Sequence, residues 1–350
     1  MEKTQLDSIC EIYDGVHVTP KYVNQGIPFR SVENLYDNEI EKYVDQDFFI
    51  KNYKKKMPSK GDIYISRIGS IGKVKKVESS TPEAYYVTLA LLKNIKIDSD
   101  YFCYLLQSDL FQKELMRKSL LQAFPMKINM DQLKTCCVKI HPKNLHVKIG
   151  SFFKELDELL DLTKESIYYY ETVRKGIRQK IFAGEKIKIN KLVSIRKGKQ
   201  LNKDDFDNNG PYPIYNGAKK EIGYHSQYNE EGPKIIVNEG GSSGTVSLIK
   251  NNFWASGHSY VLDIIEDIDI NIIYEALKKE EPKLKSMAYG AGIPSVKAID
   301  ILNHYINLPI IPYNTVLDIF ETINYIIDEL QCKVILLEQT KKYYLNKIFN

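Results

Sequence analysis

The chain has 350 residues, 43% of them hydrophobic, and 49 Lys and Arg against 45 Asp and Glu leave a formal net charge of +4. That length suits two domains plus connectors rather than one core, and no apolar run approaches the ~18 residues of a membrane span. The five cysteines, Cys10, Cys103, Cys136, Cys137 and Cys332, form no CxxC and no zinc-spaced cluster, which excludes a disulfide or zinc framework and fits reduced thiols.

The opening MEKTQLDSICEIYDG lacks the charged-then-apolar pattern of a signal peptide, so the expected location is cytoplasmic. Residues 1–144 alternate short apolar runs with glycines and predict a mixed α/β block. Within it Asp62–Val77, DIYISRIGSIGKVKKV, predicts a hairpin turning at Gly69-Ser70-Ile71-Gly72. Tyr101–Ser119 has helical periodicity, and Leu133–Ile140 reads as a strand before Pro142. Nine basic residues and one acid, Asp62, lie between Lys51 and Lys76. Such a patch on a nearly balanced protein suits a polyanion, although a solvated charged surface gives the same lysine runs.

Residues 145–183 predict a long helix. Ile149, Leu156, Thr163, Tyr170 and Ile177 recur every seven residues, with Phe153, Leu160, Ile167 and Ile181 four places on and Arg174 as the charged break. Residues 184–311 form a second mixed block that repeats the order of elements. Two strand-like runs flank Gly240-Gly241-Ser242-Ser243-Gly244, which matches Gly69–Gly72 at an offset of 172, and a helical stretch follows at Ile270–Met287. Six basic residues and no acid fall between Ile187 and Lys203. Residues 312–350 then predict a second long helix at an offset of 167 from the first. Glu171 matches Glu338, Lys175 matches Lys342, and Lys180-Ile181-Phe182 matches Lys347-Ile348-Phe349. Its seam reads Val316, Ile323, Leu330, Leu337 and Tyr344 with Phe320, Ile327, Val334 and Ile348, broken by Lys341 at the place of Arg174. Two such seams fit helices packed along their length, though two ordinary core helices remain open on spacing alone. The two charged breaks are where partner contacts are first expected.

Enzyme signatures are missing. Arg67-Ile-Gly-Ser-Ile-Gly-Lys-Val imitates a phosphate loop, but arginine replaces the first glycine and valine the Ser/Thr, so a basic hairpin turn is expected. No two prolines are adjacent, which removes the Asn/Asp-Pro-Pro-aromatic motif of adenine methyltransferases, and HExxH is absent. His258 in Ser256-Gly257-His258-Ser259 has no evident partner and reads as a loop histidine. Trp254, the one tryptophan, reads as a core anchor.

Two divergent basic blocks alternating with two similar helices resemble the specificity subunit of type I restriction–modification systems. The resemblance covers essentially the whole chain. Its most specific stretches are Tyr212-Pro-Ile-Tyr-Asn-Gly-Ala-Lys-Lys-Glu-Ile-Gly-Tyr, Ile235-Ile-Val-Asn-Glu-Gly-Gly-Ser-Ser-Gly-Thr-Val and Asn252-Phe-Trp-Ala-Ser, with Gly292-Ile-Pro through Leu308-Pro-Ile-Ile-Pro before the last helix. The first block departs by lacking a glycine pair in Ser119–Pro125. The resemblance implies an α+β chain, with two mixed α/β target-recognition domains separated by two long helices that form an antiparallel intramolecular coiled coil. It implies a non-catalytic subunit that reads a split, asymmetric target in double-stranded DNA, with the helices as spacer ruler and as docking site for two methyltransferase subunits. Restriction/translocase subunits would join through the complex. No cofactor belongs to this chain; S-adenosylmethionine, ATP and magnesium are implied for the partners. Two other readings are a recognition subunit of a related, type II-like system and a coiled-coil interaction protein without DNA.

Candidate DNA contacts are Arg30, Lys54, Lys55, Arg67, Ser70 and Lys73 in the first block. In the second they are Lys199, Tyr215, Asn216, Lys219, Lys220 and Ser243. The candidate helix seam is Ile149, Phe153, Leu156, Leu160, Ile167, Tyr170, Ile177 and Ile181 against Val316, Phe320, Ile323, Ile327, Leu330, Val334, Leu337 and Ile348.

Overall fold

The computed structural model describes residues 2–37, 40–207, 209–290, 292 and 294–349. Two compact units divide it, Met1–Lys164 with Cys332–Asn350, and Glu165–Gln331. Expected segment boundaries at 144/145, 183/184 and 311/312 are grouped differently here, because each long helix gives half its length to each unit.

The first unit contains strands β1 (Glu2–Gln5), β2 (Glu11–Asp14), β3 (Ile27–Arg30), β4 (Tyr43–Val44), β5 (Ile63–Ser66), β6 (Val74–Lys76), β7 (Ala84–Tyr85), β8 (Leu89–Lys93) and β9 (Cys137–Ile140). Its helices are α1 (Leu6–Ile9), α2 (Gln46–Tyr53), α3 (Ser99–Gln107), α4 (Asp109–Arg117) and α5 (Met130–Lys134), followed by the long α6 (His146–Ile181). The main sheet runs β2-β8-β5-β6, a smaller one runs β4-β3-β7, and β1 pairs with β9. The β5 and β8 runs, Ile63–Ser66 and Leu89–Leu92, are buried at every position. Alternate residues serve different cores: Ile63, Ile65, Ala90 and Leu92 face α3 and α4, whereas Tyr64, Leu89 and Leu91 join Phe49, Tyr53 and Tyr85. A strand covered on both faces reads as an apolar run rather than as alternation.

The periodic stretch expected at Tyr101–Ser119 is two helices, because Ser108 ends α3 in extended conformation and caps α4 through Phe111 N (3.4 Å). The expected strand from Leu133 starts only at Cys137, since α5 continues to Lys134. Asp98 and Asp45 cap α3 and α2.

The second unit repeats this plan with β10 (Lys186–Lys188), β11 (Val193–Lys197), β12 (Tyr212–Tyr215), β13 (Gly223–His225), β14 (Lys234–Asn238), β15 (Val246–Ile249), β16 (Trp254–Ala255), β17 (Ser259–Ile264) and β18 (Tyr305–Asn307). Helices α7 (Ile270–Ser286), α8 (Ala298–Asn303) and α9 (Tyr313–Phe349) complete the chain. The sheets are β11-β17-β14-β15, β13-β12-β16 and β10-β18. This is the order of the first unit, down to a parallel pair in the small sheet, β3 with β7 and β12 with β16. Trp254 is buried and donates Nε1–H to Lys199 O (2.9 Å), so it anchors the fold as expected.

The long helices pair antiparallel within each unit. In the first, Phe152 meets Tyr344, Lys341 donates to Asp157 Oδ1 (2.5 Å), and Lys164 donates to Glu338 (2.9 Å). In the second, Arg174 donates to Asn324 Oδ1 (2.7 Å) and Phe182 packs on Phe320. Asp157 and Asn324 stand 167 apart, as do Lys341 and Arg174 in the other direction, so one bond is made twice. The ring pair Phe153–Phe349 is likewise the counterpart of Phe320–Phe182. All sixteen candidate seam residues are buried or half-buried; Tyr344 remains 37% exposed. The two charged breaks, expected to face partners, spend their bonds inside their own units.

The helices are also tied to the domain cores. Tyr104 of α3 donates to Asp157 (2.8 Å), and at the matching place in α7 Glu275 accepts from Arg178 (2.5 Å). Burial pushes the Glu275 carboxyl up, against the pull of Arg178. Among the described residues no helix is long and apolar enough to cross a membrane.

Phe153 is fully buried where helix seam and first core meet. Phe153→Ala is expected to cost about 3–5 kcal/mol, and Phe320→Ala a similar amount, each read as a lower denaturation midpoint.

Candidate nucleic-acid interface

A sheet buried on both faces leaves chemistry to its loops. In the first unit the loop after β3, the β5–β6 turn and the β7–β8 connection converge. Arg67 N donates to Thr88 O (2.9 Å), and Val32 N donates to Thr88 Oγ1 (3.1 Å). In the second unit the loop after β12, the β14–β15 turn and the β16–β17 connection converge in the same way. Ser242 N donates to Gly217 O (2.8 Å), and Ser256 N donates to Tyr215 O (2.8 Å). Gly217 and Gly241 have φ of +72° and +67°, and a Cβ on either would lie 2.7 Å from a backbone oxygen. These positions therefore require glycine.

The two hairpin turns are built alike. Gly72 N donates to Ser66 O (3.0 Å), and 172 residues later Gly244 N donates to Asn238 O (2.8 Å). The first turn joins antiparallel β5 and β6. A phosphate loop would run from strand into helix, so the imitation in Arg67–Val74 is a hairpin, as expected. The side chains of Ser66 and Asn238 brace their turns: Ser66 Oγ donates to Ser70 O (2.5 Å), and Asn238 Nδ2 donates to Ser242 Oγ (2.8 Å).

The candidate contacts divide by exposure. Lys54, Lys55, Ser70, Lys199, Lys219 and Lys220 are exposed, and Lys73, Tyr215 and Asn216 are half-buried. Lys73 Nζ lies 5.9 Å from the Tyr36 ring, and Lys199 Nζ is the same distance from Trp254. The Asn216 side-chain oxygen accepts from His258 N (3.0 Å), so that oxygen holds the loop.

Three candidates are corrected. Arg30 is 7% exposed; it pairs with Glu83 and donates Nη1 to Asn34 O (3.0 Å), Leu35 O (2.9 Å) and Asp37 O (3.2 Å). Arg67 is buried and donates to Asp14 (3.2 Å) and Val87 O (3.0 Å). Ser243 is buried and donates to Glu239 O (2.8 Å). Arg30 and Arg67 bind the loops together from beneath, and Ser243 bonds within its own turn, so all three are spent inside the fold.

His258 is a loop histidine, with Nδ1 3.5 Å from Glu239. Burial would raise the Glu239 carboxyl, but Lys197 and Tyr260 bond it and hold it below the usual range. Lys56, which donates to Asp14 O (2.7 Å), is lowered by burial.

Sequence reasoning missed the loop after α4. Leu120, Leu121, Phe124 and Met126 are exposed there, and Gly69 N donates to Met126 O (2.8 Å) beside the first hairpin turn. Consecutive apolar residues outside any periodic pattern were the available signal. At the matching place in the second unit Tyr289 bridges to Ser295; Ala291 and Ile293 of that glycine-rich turn lie outside the described residues.

A family model described as the type I restriction modification DNA specificity domain matches residues 1–168 and 184–339. The chain is similar to the putative type I specificity subunit S.MgeORF438P of Mycoplasma genitalium, 29% identical over 115 residues, 32% of this chain and 30% of that protein. It is similar to S.MpnORF638P of Mycoplasma pneumoniae, 30% identical over 112 residues, 31% of this chain and 30% of that protein. The matched segments thus span under a third of these curated relatives. The crystal structure of a type I restriction–modification S subunit from M. genitalium aligns with TM-score 0.64 at 16% identity, covering 100% of this chain and 96% of that one. A structure described for assembly and conformational transition of the type I system aligns with TM-score 0.61 at 12% identity, covering 100% and 97%. These structural likenesses are of fold. With its family model matched across both halves, the chain belongs to the type I restriction–modification DNA specificity family.

Proposed function

We propose that this chain is a non-catalytic specificity subunit that binds double-stranded DNA and reads a split, asymmetric target, one half with each unit. The observation that carries the reading is the duplicated loop cluster: one hairpin-turn geometry on one sheet order, twice, with different side chains at the exposed positions. Two copies with divergent loops suit two different short sequences. Lys54, Lys55 and Lys73, with Lys199, Lys219 and Lys220, would set register on phosphates, while Ser70, Tyr215 and the free face of Asn216 would meet base edges.

The helices would serve as ruler and docking surface. At 1.5 Å per residue the 36 residues of α6 extend about 54 Å, against about 34–36 Å for one turn of B-DNA. Two methyltransferase subunits would dock, one per repeat, and restriction/translocase subunits would join through the complex. S-adenosylmethionine, ATP and magnesium would belong to those partners, and the complex would work in the cytoplasm.

Co-expressed with its methyltransferase subunits, the chain is expected to direct methylation to two short motifs separated by a fixed gap, read by methylation-sensitive sequencing. A single continuous motif overturns the split-target reading. Inserting one heptad into both long helices should lengthen the gap and leave both motifs unchanged; an unchanged gap with an altered motif contradicts the ruler. Replacing Lys54 and Lys55 with alanine should reduce the slope of log K against log salt by about 2, at roughly 0.9 per phosphate contact. Arg30→Ala should instead strand Glu83 and cost about 3–5 kcal/mol of stability, measured by denaturant unfolding.

A further inference from the structure

Residues 120–127 of the first unit form a tongue clamped at its base. Leu120 N donates to Lys127 O (2.7 Å), Gly69 N to Met126 O (2.8 Å) and Ile128 N to Arg67 O (2.9 Å), which fixes it against the hairpin turn of the candidate interface. Its tip is apolar and uncovered. Phe124 is fully exposed at 105%, with Leu121 at 50% and Met126 at 40%. Phe124 belongs to neither core of its unit, so folding does not account for it, and exposed apolar clusters of this kind mark contact sites.

The second unit supplies an internal comparison. There Val296 N donates to Glu239 O (2.9 Å), the counterpart of the Ile128–Arg67 bond. Ile128 and Val296 are 168 apart, but the loop bases Leu120 and Tyr289 are 169 apart, so Phe124-Pro125 matches Ile293-Pro294, with Ile293 outside the described residues. One recognition unit carries a phenyl ring where the other carries a smaller, branched aliphatic side chain.

The rim of the tongue decides which occupant fits. Lys127 is exposed within it and Lys73 lies in the adjoining turn; Arg117, 70% exposed and bonded to Glu114 (2.8 Å), ends the helix before it. An apolar point between cations matches stacked bases between phosphates, the arrangement by which proteins wedge side chains into base steps. Protein–protein interfaces are depleted in lysine, and two of these three cations are lysines.

The geometry points to Phe124 as a wedge that enters between adjacent base pairs in one half of the target, with Lys127 on the flanking phosphate. The first unit thereby reads the deformability of its half-site as well as its base edges. This inference rests on the DNA-reading role proposed above.

The test uses the complex of the full chain with its methyltransferase subunits. The probe is a duplex carrying the target found by methylation sequencing, with 2-aminopurine at successive positions. Wild type should brighten at one step in the half read by the first unit. Phe124→Ala should abolish that signal and weaken binding about tenfold, the worth of one base–aromatic stack, and Phe124→Trp should restore both. Unaltered fluorescence and affinity in Phe124→Ala overturn the wedge. Loss of methyltransferase subunits from Phe124→Ala on size exclusion, with DNA affinity of the assembled complex kept, also overturns it and makes the tongue a protein contact. A wild-type complex that binds no specific duplex sinks the DNA reading itself, a result distinct from either outcome for the variant.

Discussion

Everything in this fold depends on each long helix burying its seam in two places. Phe153 and Phe349 close the first core, and Phe182, Phe320 and Val316 close the second. Neither core is complete without a piece of both helices, so the first unit waits for residues near the end of the chain. Such pairing carries a loop-closure cost that only extensive burial offsets. The repeated polar bonds, Lys341–Asp157 and Arg174–Asn324, fix register in a seam that apolar contacts alone would hold less specifically.

With the central strands of each main sheet covered on both faces, the exposed side chains of the candidate interface fall in the loops at one set of strand ends. Backbone bonds carry the loop cluster: the Ser66–Gly72 and Asn238–Gly244 contacts survive although the residues differ. A scaffold held by main-chain atoms tolerates exchange of exposed side chains. Ion pairs that reach into the fold, buried Arg30 with Glu83 and exposed Arg196 with buried Glu230, tie these loops down.

Much of this was legible in the chain. The offset of 167 and the shared charged break identified the paired helices, because helix seams are periodic and periodicity survives divergence. The glycines at 69, 72, 241 and 244, all at positive φ, marked both hairpins, since few other residues adopt that backbone. Ser108 was not legible as a break, because a cap and a mid-helix serine look alike until the backbone is seen.

Sequence by itself determined the duplication, the helix register and the turns, all of which follow from local rules of spacing and backbone freedom. Only the tertiary structure decided which way each polar side chain faces. Arg30, Arg67 and Ser243 sit beside loops as Lys54 and Lys219 do, yet the first three turn inward: Arg30 to Glu83 and Arg67 to Asp14, each 53 residues away, and Ser243 to the Glu239 carbonyl of its own turn. The same is true of Arg174 and Lys341, whose partners lie 150 and 184 residues away. Direction depends on neighbours that the fold supplies, and no local pattern encodes it.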